Sequence, residues 1–278
     1  MTRLPRFRGK GRIVLAIDSL LTDGNDPRSY IDVGRVNGCP FQFDLRPWGQ
    51  KFAFYYGEWE SDLIRTLSGF YRGGTFVDVG SSLGLYVAAL GPLVREQGGA
   101  LLSIEPVPQN LERQRINIRL NGLEDIVELL PVAVGDRAGT LRIKSDRVGG
   151  DNNAFFSEEG DIVVPLRTLD DIMDERRALP PVTVIKMDVE GYEPLVIAGA
   201  HRLIERDRPV ILSEFCRERM VINELSMNET WRQFKSWRYR GFRLDGRHLV
   251  EFNEPAAFEN VFLIPEEKSA TLMGLRAH

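Results

Sequence analysis

One stretch, Val77-Asp78-Val79-Gly80-Ser81-Ser82-Leu83-Gly84-Leu85-Tyr86, restricts the fold of this chain more than any other. Thr75 to Val79 is rich in β-branched residues and reads as a buried strand that Gly80 ends. After Gly84, the apolar residues Leu85, Val87, Ala88 and Leu90 suit a packed helix, which Gly91-Pro92 is expected to interrupt or end. A turn of this kind lets a ligand approach the backbone, because glycine has no Cβ, and the helix start offers free N–H donors.

From Thr75 onward the pattern alternates strand and helix. Strands are expected at 101–104, 126–134, 182–188, 210–214 and 260–264, with helices at 111–119, 169–176, 193–203 and 229–239. Thr168 suits the N-cap of the second of these helices. Residues 141–144 and 162–166 break the rhythm as an antiparallel excursion around a polar loop at 148–160. Such alternation implies an α/β fold with a mostly parallel sheet covered on both faces. Before Thr75 the chain is harder to read. Phe41, Phe43 and Leu45 alternate with polar residues as in a strand, and Phe52 to Tyr56 suggests its hairpin partner. Leu63, Ile64, Leu67 and Phe70 then mark an amphipathic helix with Gly73-Gly74 as its exit. Residues 1–74 therefore read as a cap on a main domain at 75–278.

With 43% hydrophobic residues among 278, the chain can bury a substantial core. A formal net charge of −4 argues against nucleic acid as the main partner. Cys39 and Cys216 are far apart without metal-type spacing, which suits a reduced, cytoplasmic protein. Arg3, Arg6, Arg8, Lys10 and Arg12 read as a solvated basic arm, and Asp18 cuts the apolar run after them short of a signal-peptide core. No segment approaches the length of a membrane span.

An open parallel sheet binds its ligand at the carboxyl ends of its strands. The Gly80–Gly84 turn and Glu105, at the end of the second strand, therefore aim at one crevice. Glu105 lies 21 residues after Gly84, the spacing of an acid that holds ribose hydroxyls. The dinucleotide pattern G-x-G-x-x-G is missing, since Ser82 and Leu85 stand where the later glycines would fall. Asp78 beside the turn favours a cationic ligand over a phosphate. S-adenosylmethionine meets these demands: ribose hydroxyls for Glu105, an amino group for Asp78 directly or through water, a sulfonium and no phosphate. The plainer readings are a turn carboxylate for Asp78 and a surface residue for Glu105.

Four segments carry a family resemblance: Phe76 to Gly84, Ile104-Glu105-Pro106, Ala133-Val134-Gly135-Asp136, and above all Ile185-Lys186-Met187-Asp188-Val189-Glu190-Gly191-Tyr192-Glu193. Together with Thr168-Leu169-Asp170-Asp171 they resemble the FkbM-type S-adenosylmethionine-dependent methyltransferases over about residues 75–215. The resemblance implies a class I methyltransferase fold: a seven-stranded, mostly parallel sheet with an antiparallel final hairpin, here 241–244 with 260–264. It also implies that Gly80, Ser81, Ser82 and Gly84 cradle the methionine end. Glu105, with Pro106 beside it, would hold the ribose, and Ala133 to Asp136 the adenine. The family usually has alanine-asparagine where this chain has Ser81-Ser82. The implied acceptor is a small-molecule hydroxyl on a sugar or secondary metabolite, converted to an O-methyl ether by in-line methyl transfer.

Lys186, Asp188 and Glu190 alternate, so an extended chain puts them on one face, with Glu214 ending the neighbouring strand. They form either a structural charge network or a floor on which Asp188 or Glu190 deprotonates the acceptor. Asp188 and Glu214 also suggest part of a divalent-metal site, but no further ligand can be placed and a metal is not favoured. His248 is the one histidine placed to act as a base, and a surface role suits it better. Two other functions compete. Gly80-Ser81-Ser82-Leu83-Gly84 matches the G-x-S-x-G elbow of a serine hydrolase with Ser82 as nucleophile, although that elbow normally follows several strands. A non-catalytic module that binds a partner through the N-terminal aromatic segment is the second.

Overall fold

A computed structural model describes residues 30–145, 154–156 and 159–269. The basic arm at 3–12, much of the polar loop at 148–160 and His278 lie outside the described residues.

The chain opens on a hairpin of β1 (Ile31–Val36) and β2 (Cys39–Asp44). Its turn is Asn37-Gly38, with φ of 51° and 88°, the two-residue sequence that antiparallel pairs favour. The partner of the Phe41–Phe43 strand is thus β1 and not the aromatic run at 52–56. That run lies in helix α1 (Trp48–Tyr56), which ends at Gly57 in the left-handed region. Trp48, Phe52 and Tyr56 recur every four residues, and the Phe52 and Tyr56 rings stack at 3.8 Å. The repeat is helical, although single aromatic residues favour strands. Helix α2 (Ser61–Ser68) leads to the core.

The core begins with β3 (Thr75–Val79), α3 (Leu85–Glu96), β4 (Ala100–Ile104), α4 (Pro108–Leu120) and β5 (Val127–Leu130). Contrary to the sequence expectation, α3 runs through Gly91-Pro92. Proline at 92 cannot donate to the Ala88 carbonyl, and the Cys39 thiol does so instead at 3.3 Å. Gly91 faces Leu123, which would lie 2.4 Å from an added Cβ. The strand expected over 126–134 is split at Pro131. β5 stays in the main sheet, whereas β6 (Ala133–Val134) joins β7 (Gly139–Ser145), β8 (Ala154–Phe156) and β9 (Ile162–Arg167) in a second sheet, ordered β6-β9-β7-β8. β7 and β9 are the expected antiparallel excursion.

Thr168 caps α5 (Leu169–Asp174), its hydroxyl accepting from the Asp171 N–H at 3.0 Å. β10 (Val182–Met187) follows. The helix expected over 193–203 is two, α6 (Glu193–Ala198) and α7 (His201–Asp207), separated at Gly199. A Cβ at Gly199 would lie 2.0 Å from the Gly135 carbonyl oxygen, so the chain breaks where two segments touch. β11 (Val210–Cys216), α8 (Arg217–Ile222), α9 (Met227–Ser236), β12 (Tyr239–Asp245), β13 (His248–Phe252) and β14 (Phe258–Pro265) complete the described chain.

The main sheet has the order β13-β12-β14-β11-β10-β3-β4-β5. β3, β4, β5, β10 and β11 are parallel, and β14 runs against both β11 and β12. β13 adds an eighth strand beyond the expected seven. Alternation sorts each central strand between two cores. Val77, Val79, Ile185 and Met187 pack on one face, and Phe76, Val184 and Leu101 on the other. Asp78 and Lys186 follow the second register, so two ionisable side chains are buried under the α3 side of the sheet.

Candidate functional site

The carboxyl ends of β3, β4 and β10 meet at a cleft of about 460 Å³. Its centre is the Gly80–Gly84 turn. The N–H groups of Gly80 and Ser81 donate to the Ile104 carbonyl at 3.0 and 3.1 Å, which fastens the turn to β4. Gly80, Ser82 and Gly84 all have positive φ, at 71°, 49° and 80°. A Cβ at Gly80 would lie 1.9 Å from the Asp188 carbonyl oxygen, so only glycine lets the turn close against the end of β10.

Glu105 is 3% exposed, and its carboxylate accepts from the backbone N–H groups of Ser82 (2.8 Å) and Val107 (2.9 Å) and from Asn110 Nδ2 (3.2 Å). Burial raises its pKa, against the lowering pull of these bonds. One carboxylate therefore shapes the turn and still borders the cleft. Asp78 lies lower. It is fully buried, it does not line the cleft, and neither carboxylate oxygen has a hydrogen-bond donor among the described residues. Burial pushes it up to about 7, opposed by Lys186, whose Nζ is 3.9 Å away. Burial alone would depress Lys186. The carboxylates of Asp188, at 3.4 Å, and Asp78 outweigh it, so the ammonium is held charged.

β10 ends at Met187, and Glu190 and Gly191 turn through φ of 60° and 95°. The expected common face of Lys186, Asp188 and Glu190 is therefore lost after Asp188. Asp188 and Glu190 both still reach the cleft wall, each with a cation: Lys186 for Asp188, and Arg219 of α8 for Glu190. Glu193 folds back to accept from the Val189 N–H at 2.9 Å, which fixes the loop, and burial pushes it up to about 7. Glu214 sits within β11 and does not end it; burial, with Asp188 nearby, pushes it up to about 7. Among the described residues no group of three or more His, Cys, Asp or Glu side chains is placed to hold a metal.

The second sheet gives the cleft an apolar wall of Ala133, Val134, Leu141, Ile143 and Leu166. Asp136 and Pro106 also border the cleft.

Residues 78–244 match the Methyltransferase FkbM domain. The chain belongs to this family. An FkbM methyltransferase structure from Methylobacillus flagellatus KT shares 17% identity at a TM-score of 0.47, covering 91% of this chain and 58% of that one. An O-methyltransferase from Bacillus cereus in complex with SAH shares 15% identity at a TM-score of 0.40, covering 73% and 78% of the two chains. The Pyrococcus abyssi tRNA (uracil-54, C5)-methyltransferase, bound to S-adenosyl-L-homocysteine, shares 14% identity at 0.39, covering 84% and 43%. No curated protein matches the chain.

The FkbM segments expected at the cleft are gathered there: Gly80, Ser81 and Ser82 at the turn, Glu105 and Pro106 beside it, and Ala133 and Asp136 from the chain after β5. Gly84 sits behind them at the start of α3, where Gln114 would meet an added Cβ at 2.8 Å. Among the described residues no histidine lines the cleft beside Ser82. His201 pairs with Glu205 at 3.5 Å on α7, and His248 is exposed at the start of β13. What sequence reasoning missed comes from outside the FkbM motifs: Phe41, Gln50, Trp59 and Glu60 of the N-terminal segment, Tyr86 of α3, and Leu141 and Ile143 of β7. Tyr86, two residues past Gly84 in the first turn of α3, carried a signal in its closeness to the glycines. The others are brought in by tertiary packing alone. Among the described residues no helix is long and apolar enough to cross a membrane.

Proposed function

We propose that this FkbM methyltransferase binds S-adenosylmethionine in the cleft and methylates a hydroxyl of a small molecule, a sugar or secondary metabolite. The observation that carries this reading is the pairing of the open Gly80–Ser82 turn with the Glu105 carboxylate on one rim, in a cleft with an apolar wall. The donor set fits the ligand. Glu105 keeps an acceptor site on Oε2 for a ribose hydroxyl, the wall of Ala133, Ile143 and Leu166 suits a flat base, and among the described residues no cationic cluster at the turn calls for a phosphate. When bound, S-adenosylmethionine supplies a methyl group on a sulfonium leaving group.

The protein's own part is to hold the acceptor in line and take its proton. Correct placement supplies roughly 7–11 kcal/mol of such a barrier. Asp188, one-third exposed at the end of β10, is the proposed base, with Lys186 fixing its carboxylate from below. A positioned base adds about 10²–10⁴-fold. Glu190 reaches the same wall, but its pairing with Arg219 gives it a holding role.

Calorimetry with S-adenosylmethionine tests the first half, and absence of binding at millimolar ligand would sink it. A labelled-methyl assay on extracts of the producing cell, with mass analysis of the product, tests the second. Asp188→Asn is expected to lower turnover about 10²-fold or more with donor affinity retained. Full turnover in that variant would remove Asp188 as the base.

A further inference from the structure

The donor's α-amino group needs an anion at the methionine end, and the residue expected to supply it, Asp78, is sealed beneath the floor. The carboxylates that do line the cleft are differently placed. Glu105 is engaged by Ser82, Val107 and Asn110, Asp136 by Arg137, Asp188 by Lys186, and Glu190 by Arg219. Glu60 accepts a bond from a neutral group, the Tyr86 hydroxyl, at 2.7 Å, and its charge reaches the Lys186 ammonium without forming an ion pair among the described residues.

Two further observations single out Glu60. Its backbone is in the left-handed region, φ 49° and ψ 29°, a conformation that costs a residue with a Cβ. It occupies the N-cap of α2, where a side chain normally bonds the helix end, yet its side chain makes no cap bond and turns instead towards Tyr86. Its position along the cleft is fixed by a short relay. Lys186 Nζ lies 3.4 Å from the Gly80 carbonyl oxygen and 5.2 Å from the centre of the Tyr86 ring, whose hydroxyl holds Glu60. Glu60 is thus linked to the Gly80 turn through Tyr86 and Lys186, and it lines the same cleft.

We infer that Glu60 is the carboxylate that receives the donor's α-ammonium, so that the N-terminal segment completes the donor site. This rests on the S-adenosylmethionine reading above. An ammonium fits better than a neutral hydroxyl here, since it supplies the charge that the phenol cannot. Tyr86 then acts as a positioning residue, orienting the carboxylate from a buried ring.

The experiment is calorimetry with two probes. S-adenosylhomocysteine retains the amino-acid end, and 5′-methylthioadenosine lacks it. Glu60→Gln keeps an oxygen for the Tyr86 hydroxyl, so the thermal midpoint of the variant serves as its fold control. The expected result is an S-adenosylhomocysteine affinity about 10- to 100-fold weaker with 5′-methylthioadenosine affinity unchanged. Tyr86→Phe should give a smaller loss of the same selectivity. The inference is overturned if Glu60→Gln binds S-adenosylhomocysteine within twofold of the native protein, or if both probes weaken equally. If the native protein binds neither probe, the donor reading itself fails, a distinguishable result.

Discussion

Asp78 is the residue whose surroundings conflict most with its chemistry. It lies one residue before the end of a strand in which every residue is buried, and Lys186 is its one nearby cation among the described residues. A carboxyl held near 7, against an ordinary 3.8, keeps its proton in the folded state at pH values where the unfolded chain has lost it. The folded state then binds the extra proton, so this group's stabilisation is complete below about pH 4 and is lost as the pH rises through about 7. Asp78→Asn removes that dependence. Relative to the native protein, the variant should gain stability steadily from pH 4 to pH 7, measured by urea midpoints at each pH. A constant difference across the range would mean that Asp78 is ionised throughout. Glu105 and Asp78 also mark what was legible at this scale. The reach of Glu105 followed from its distance along the chain to the glycines. The depth of Asp78 did not, because it depends on the α3 face that covers it.

At the scale of elements, two prolines with the same local signal behaved differently. Pro131 divides a strand and sends its second half into another sheet, whereas Pro92 sits inside α3 without ending it. The difference is the fate of the orphaned carbonyl: Ala88 is served by Cys39, which arrives from the N-terminal hairpin. No local pattern could reveal that donor. The bond predicts a coupling. Cys39→Ala should cost about 1 kcal/mol, and less in a Pro92→Ala background, where residue 92 regains the N–H that Ala88 lacked. A double-mutant cycle in urea measures it, and equal costs in both backgrounds would count against the thiol bond. Elsewhere the parallel strands were readable because their apolar runs leave no alternative. The N-terminal elements were not, since aromatic residues at 52–56 suit strand and helix alike and only their four-residue repeat decides.

The whole molecule shows why an N-terminal segment without motifs belongs to the site. Helix α4 carries a polar seam along the side that meets the hairpin. Asn117 accepts from the Gln42 N–H and donates to the Leu83 carbonyl, both at 2.8 Å, and Asn121 donates to Pro40 at 2.9 Å. Arg113 bonds the Gln42 carbonyl at 3.1 Å and the Gln50 side chain at 2.8 Å. One asparagine therefore grips β2 with one end and the glycine turn with the other. Such pairings across 75 and 34 residues are invisible to a reading that proceeds by local pattern.

The Asn117 clasp makes the hairpin a reporter for the cleft. If lifting β2 frees the turn, a molecule seated on the turn must leave before the hairpin can open. Ligand at 100 times its Kd adds about 2.7 kcal/mol to such an opening. The Gln42 amide should then exchange with deuterium about 100-fold more slowly under saturating S-adenosylhomocysteine, and an unchanged rate would mean that the hairpin opens independently. Occupancy of a pocket at the strand ends would thus be written into the proton exchange of a separate two-stranded hairpin that sequence motifs never linked to it.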